Sequence, residues 1–251
     1  MRTFVRVAGA LFIVFGLSSA AAGQSHPSFS VTVTGRGPAI VLIPGLLSTG
    51  EVWSSTVERY QEQYSLHTVT LAGFGGPPPI GSPFLSRVRD ELIAYMRDQK
   101  MQKPIVIGHS LAGFLAFWIA ATAPDLVGGV IAVDGVPYLP ALGNPAATPE
   151  TTAAMAKQVQ TIYASLSQEQ LIAQSRMAMT TMMTAPALLI GALGSAPEPM
   201  RPTLENAYRA QVAQLPASTV KMAATRHFIM LDDPSFLFAA IDEFLASLPK
   251  R

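Results

Sequence analysis

The sequence predicts an α/β domain whose mostly parallel sheet is covered by helices, and three observations carry that prediction. Short, continuous apolar runs such as Ala39-Ile40-Val41-Leu42-Ile43 recur, the pattern of strands buried on both faces. Segments with helical apolar spacing alternate with them, so the chain reads strand, helix, strand, helix. The 251 residues, 49% hydrophobic and 13% charged, are ample for one large core.

Residues 1–22 read as an address. Arg2 and Arg6 open the chain, Val7 to Leu17 is apolar, and Ser18 to Ala22 is rich in small residues. That is the three-part layout of a secretory signal, with Ala20-Ala21-Ala22 as the cleavage site. The apolar run is too short to span a bilayer comfortably. Cleavage after Ala22 leaves a periplasmic or secreted protein with no stable membrane span. It removes two arginines and no acid, moving the net charge from +1 to −1.

In the mature chain Ser30 to Val33 reads as a β-branched strand, and Gly35-Arg36-Gly37-Pro38 turns the chain into the strand 39–43. Pro44-Gly45 ends that strand, and Glu51 to Tyr64 reads as a helix. Leu66 to Leu71 is the next strand, followed by a Gly/Pro loop and a helix from Phe84 to Met101 with Leu85, Val88, Leu92, Tyr95 and Met96 on one face. Pro104 introduces the strand 105–107, Leu111 to Ala123 is helical, and Val127 to Val133 is a strand. From Pro137 the rhythm breaks into helical signals alone. Residues 137–184 are therefore expected to form a helical cap inserted between two core segments, 23–136 and 185–251. Ala187 to Ile190 and Ser218 to Ala223 read as strands. Helices are expected over Pro202 to Leu215 and Phe236 to Leu248.

Composition excludes several functions. Seventeen basic against sixteen acidic residues leave no charge excess for nucleic acid. The absence of cysteine excludes a disulfide framework, a Cys-ligated zinc and a Cys nucleophile. No metal or nucleotide motif is present, and Gly73–Gly76 lacks the Lys and helix start of a phosphate loop. No cofactor is expected.

The chemistry concentrates at Gly108-His109-Ser110-Leu111-Ala112-Gly113, directly after one strand and directly before a helix. A serine on so sharp a turn projects its hydroxyl. Small residues are needed two places before and after it, because strand and helix come close. Gly108 and Ala112 hold those places. Three further segments bear on the reading: Ile43-Pro44-Gly45-Leu46 before Glu51-Val52-Trp53, Leu71-Ala72-Gly73-Phe74-Gly75, and His227-Phe228 through Pro234 before an amphipathic helix. With the serine turn, these resemble the α/β-hydrolase superfamily over essentially the whole mature chain. The first looks like its oxyanion loop, with Pro44 where His is usual. The second is similar to its D-x-x-G-x-G loop without the Asp, and the third resembles the segment carrying the catalytic base.

The resemblance implies an α/β-hydrolase fold and a nucleophile, base and acid. Ser110 needs a base within hydrogen-bond reach. His227, downstream and in a loop before the last helix, is the candidate. Of the other histidines, His26 lies in the expected frayed N-terminus and His67 beside a strand as a packed or surface residue. His109 should diverge from its neighbour on the turn. The backbone N–H groups of Leu46 and Leu111 are the expected oxyanion donors. The acid stays open. The strand after the cap offers no Asp, which leaves Asp134 at the end of the preceding strand, Glu198, or no functional acid. Some branches of the superfamily place their acid at the strand end equivalent to Asp134. Asp233 before Pro234 reads as a helix start.

Met155, Met177, Met179, Met182 and Met183 fall in or beside the expected cap among few charges, which favours apolar substrates. The expectation is a serine hydrolase cleaving small to medium, largely apolar carboxylic esters. The same machinery would serve a C–C bond hydrolase, an aminopeptidase or a cofactor-free haloperoxidase. A catalytically impaired binding protein of this fold is the alternative of a different class. Oligomeric state is not legible.

Overall fold

The computed structural model describes residues 26–81, 83–137, 183–213, 215 and 217–249. The expected leader at 1–22 and nearly all of the expected cap at 137–184 lie outside the described residues.

The strands are β1 (Phe29–Thr34), β2 (Ala39–Ile43), β3 (Ser65–Leu71), β4 (Ile105–His109), β5 (Gly129–Val133), β6 (Ala187–Ala192) and β7 (Ser218–Ala223). They form one seven-stranded sheet in the order β1-β3-β2-β4-β5-β6-β7. β1 pairs antiparallel with β3, and the other five pairings are parallel. The helices are α1 (Ser54–Tyr60), α2 (Phe84–Asp98), α3 (Leu111–Thr122), α4 (Arg201–Val212), the single turn α5 (Ile229–Asp232) and α6 (Pro234–Ser247).

Strand periodicity explains the two cores. In β2, Val41 and Ile43 join the cluster containing Val88, Leu92, Leu115 and Phe117 of α2 and α3. Ile40 and Leu42 face the opposite way, against Trp53, Leu237 and Ile241. Successive strand side chains point to opposite faces, so apolar residues at every position mean burial on both. α3 is buried over eleven of its twelve residues, which suits a helix at the centre of one layer.

Several boundaries differ from the sequence expectation. The helix expected over 51–64 is a 3-10 turn at Gly50–Trp53 followed by α1, which stops at Tyr60. The reason is tertiary. The β1–β2 turn presses on the chain there, with a Cβ built on Gly35 lying only 2.3 Å from the Gln61 carbonyl oxygen. The last residues therefore unwind into β3. α2 ends at Asp98 because Lys100 takes a positive φ of 52°. α4 begins at Arg201 after a 3-10 turn at Glu198–Met200 and ends at Val212. The turn α5 was not expected; it lies between the loop carrying His227 and α6. His26 is not frayed: its ring stacks on Phe29 at 5.2 Å and meets Tyr95 edge-on. His67 is buried, its Nδ1 2.8 Å from the Tyr95 hydroxyl.

Candidate active site

The site sits where β4, β5 and β6 end. At the end of β4, Ser110 takes φ 56° and ψ −123° before α3 begins at the next residue. A non-glycine residue held there costs about 1–3 kcal/mol and persists only where its surroundings enforce it. One enforcing contact is Gly108, where an added Cβ would lie 2.0 Å from the Ala112 carbonyl oxygen. Strand and helix come so close that only hydrogen fits. The Ala112 methyl is accommodated in the core. The close approach on the far side belongs to Gly113, whose added Cβ would lie 2.8 Å from Gly135 Cα.

β5 ends one residue before Asp134, also at positive φ (47°). Its backbone N–H donates to the Ile190 carbonyl at 2.7 Å, tying it to β6. Its carboxylate is divided between two tasks. Oδ1 accepts from the Ala192 N–H at 2.8 Å and from the Tyr208 hydroxyl. Oδ2 accepts from His227 Nδ1 at 2.5 Å. With Nδ1 committed, the free lone pair of the neutral imidazole is on Nε2, which has no hydrogen-bond partner among the described residues. The His227 side chain remains 43% exposed, so incoming molecules can reach it. The structure thus brings Asp134 to His227, 93 residues away in sequence. Glu198 stands exposed in the 3-10 turn before α4. Asp232 turns to the Arg226 backbone N–H and guanidinium, while Asp233 caps α6 by accepting from the Phe236 N–H.

The loop after β2 closes the other side. A Cβ on Gly45 would stand 2.8 Å from His109 Nδ1 and 3.1 Å from Ser110 Cβ, so this loop lies directly against the serine turn. Ser48 N–H closes a turn onto the Gly45 carbonyl at 3.3 Å. Leu47 is held at φ 61° in that turn, a second strained residue beside the serine. Among the described residues, no protein acceptor takes the N–H of Leu46 or of Leu111. Leu111 is the first residue of α3, where an amide has no partner within the helix. Leu47 (80% exposed), Phe228 and Leu231 (59%) leave apolar surface on the segments flanking the serine and the base.

Two side chains that sequence reasoning did not place here enter the site. Tyr208, buried on α4, donates to Asp134. His109 packs against His227: its ring lies 4.5 Å from that of His227, and its Nε2–H donates to the His227 carbonyl at 3.0 Å. Its Nδ1 is buried without a partner. Burial pushes the His109 pKa down to about 4, helped by the neighbouring His227, so the ring is neutral and serves as a backbone clamp on the base-bearing loop. No local motif marks either residue; both are found only by knowing which elements meet. Among the described residues no group of three or more His, Asp and Glu could hold a metal ion, and no helix is long and apolar enough to cross a membrane.

The sequence model of the alpha/beta hydrolase fold family matches residues 38–234. A pimeloyl-[acyl-carrier protein] methyl ester esterase from Aliivibrio salmonicida (strain LFI1238) is 39% identical over 103 residues, 41% of this chain and 38% of that protein. Its counterpart from Aeromonas salmonicida (strain A449) is 35% identical over 111 residues, 44% of this chain and 42% of that one. The chain therefore spans about two fifths of the length of the curated relatives it matches. Among solved structures, a monoacylglycerol lipase from Paleococcus ferrophilus superposes with a TM-score of 0.65 at 19% identity, covering 88% of this chain and 99% of that one. A thermophilic esterase from Thermogutta terrifontis gives 0.60 at 18% identity, covering 87% and 93%. At such identities the likeness is one of fold.

Proposed function

The chain belongs to the alpha/beta hydrolase fold family, and from that premise we propose that it is a serine hydrolase cleaving carboxylic esters through an acyl-enzyme. The observation that carries the reading is the Asp134–His227 pair at 2.5 Å, joined to a serine on a strained strand-to-helix turn. A part-buried carboxylate holding Nδ1–H leaves Nε2 free to take a proton, as the chemistry requires. The similarity to methyl ester esterases over part of the chain supports the same reaction class.

In this mechanism Ser110 Oγ attacks the ester carbonyl carbon while His227 Nε2 takes its proton. The carbonyl oxygen becomes an oxyanion, for which the Leu46 and Leu111 N–H groups are the donors. Collapse breaks the bond to the alkoxy oxygen, and the imidazolium returns the proton to the departing alcohol. Water, deprotonated by the same nitrogen, then attacks the acyl-enzyme and releases the acid and free Ser110. Asp134 orients the ring and stabilises its transient positive charge. The apolar surface of Leu47, Phe228 and Leu231 supports small to medium, largely apolar esters as substrates. The leader at 1–22 supports export to the periplasm or beyond, checked by whether the exported protein starts at Gly23. The cap remains part of the proposal for residues 137–184.

The test is hydrolysis of short- to medium-chain p-nitrophenyl esters by the protein and by Ser110→Ala. The reading expects turnover that falls on the order of 10⁴-fold or more in the variant, and labelling of the wild type alone by a serine-directed phosphonate. Turnover equal in both proteins, or no turnover and no adduct, would overturn it.

A further inference from the structure

The geometry points to Tyr208 as a positioning residue that sets the proton affinity of the His227–Asp134 pair through a hydrogen bond to the acid, an inference that rests on the proposed triad.

The reasoning starts from where the acid stands. Asp134 lies one residue beyond β5, and its side chain must reach across the end of β6 towards the base. A carboxylate on so short a side chain can rotate about its last torsion. Two donors on Oδ1 remove that freedom: the Ala192 N–H at the end of β6 and the Tyr208 hydroxyl. Oδ2 is then the oxygen turned towards His227. The phenol is placed by packing as well as by this bond. Tyr208 is buried, and a Cβ on Gly191 would come within 2.8 Å of its Cδ2, so the ring rests on a strand position that has room only for glycine. Gly191 is one residue before the amide that shares Oδ1 with the phenol. The phenol is therefore part of a built cradle for the carboxylate.

The consequence for the base has a definite sign. A donor on Oδ1 draws negative charge away from the carboxylate and weakens its hold on the His227 proton. Removing the donor strengthens that hold, and a better donor weakens it further. Burial, then the negative charge of Asp134, raise the Tyr208 pKa well above its usual value, so the group remains an O–H donor at every working pH. Among the described residues, His109 packs against His227 and is kept neutral by burial, while Arg226 and Asp232 on its own segment pair with each other. None of these touches Oδ1.

The experiment is a histidine NMR titration of the full chain, with the His227 signal identified by its loss in His227→Gln. Wild type is compared with Tyr208→Phe and with 3-fluorotyrosine at position 208, an isosteric and stronger donor. In Tyr208→Phe the pH at which His227 takes up its proton should rise by about half a unit or more. The fluorinated protein should move it down. The acid limb of kcat/KM on a p-nitrophenyl ester should follow both shifts. kcat should fall about tenfold in Tyr208→Phe with KM unchanged, as expected when only orientation in the transition state is lost. A His227 midpoint that stays put in both variants, or moves opposite to donor strength, overturns the inference. If Tyr208→Phe fails to fold, the fluorinated protein decides alone. The titration needs no substrate, so an absence of ester turnover would count against the proposed function and leave this result standing.

Discussion

At the scale of single residues, the decisive contrast is between the two carboxylates that sequence offered for one role. Asp134 is held by β6 and by Tyr208 and hands its other oxygen to His227, whereas Glu198 is exposed. Asp134→Asn should lower kcat on the order of 10³- to 10⁴-fold, because an amide can present its N–H₂ to Nδ1 and favour the wrong tautomer. Glu198→Gln should leave kcat within twofold of wild type, and steady-state rates on one ester compare the two directly. Ser110, His227 and Asp134 were all legible as candidates: Ser110 and Asp134 follow strand ends that apolar runs and turn residues make visible, and His227 opens the segment before the last helix. The ranking of Asp134 over Glu198 was not settled by sequence, because it depends on a β6 amide and on a side chain 74 positions further on. What sequence did not show is the contact that His109 makes: the loop carrying His227 folds back over the turn and gives His109 Nε2–H a carbonyl to hold.

At the scale of elements, the last helix shows how a cap starts a helix directly after the segment carrying His227. Asp233 accepts from the Phe236 N–H at 3.0 Å, with Pro234 at the first helical position, and both features were readable from Asp233-Pro234 in the sequence. Asp233→Ala should cost about 1 kcal/mol of stability while changing kcat less than the Asp134 variant by orders of magnitude. A denaturant melt beside an ester assay separates the two effects. The strands were the most legible elements, β2 and β7 to the residue; for β2 a run buried on both faces leaves little choice of boundary, whereas β7 is only partly buried. Helix ends were less so. α1 stops at Tyr60 because the β1–β2 turn packs against the carbonyls that follow it, a contact that no local propensity records. The 3-10 turn at Glu198–Met200 and the single turn α5 were missed because each is too short to show a period.

At the scale of the whole molecule, burial of neutral imidazole couples folding to acidity. His109 is 1% exposed, and desolvation first, then the nearby His227, lower its pKa from 6.5 to about 4. Between those two pH values the unfolded chain carries a proton at this position and the folded chain does not. Stability therefore rises with pH across that window and is lost as pH falls through it. Above pH 6.5 the contribution is present in full; by pH 4 this residue alone has withdrawn about 3 kcal/mol, from the free-energy equivalent of one pKa unit. His67 acts in the same direction, since burial lowers its pKa too. His109→Gln replaces the titrating donor with an amide that can still reach the His227 carbonyl but binds no proton. Chemical denaturation at pH 7, 5.5 and 4 should show a steep loss of stability in wild type and a shallower one in the variant, the gap widening towards pH 4. Parallel curves would mean that the ring accepts its proton without unfolding, and that the clamp on the base-bearing loop tolerates a charge.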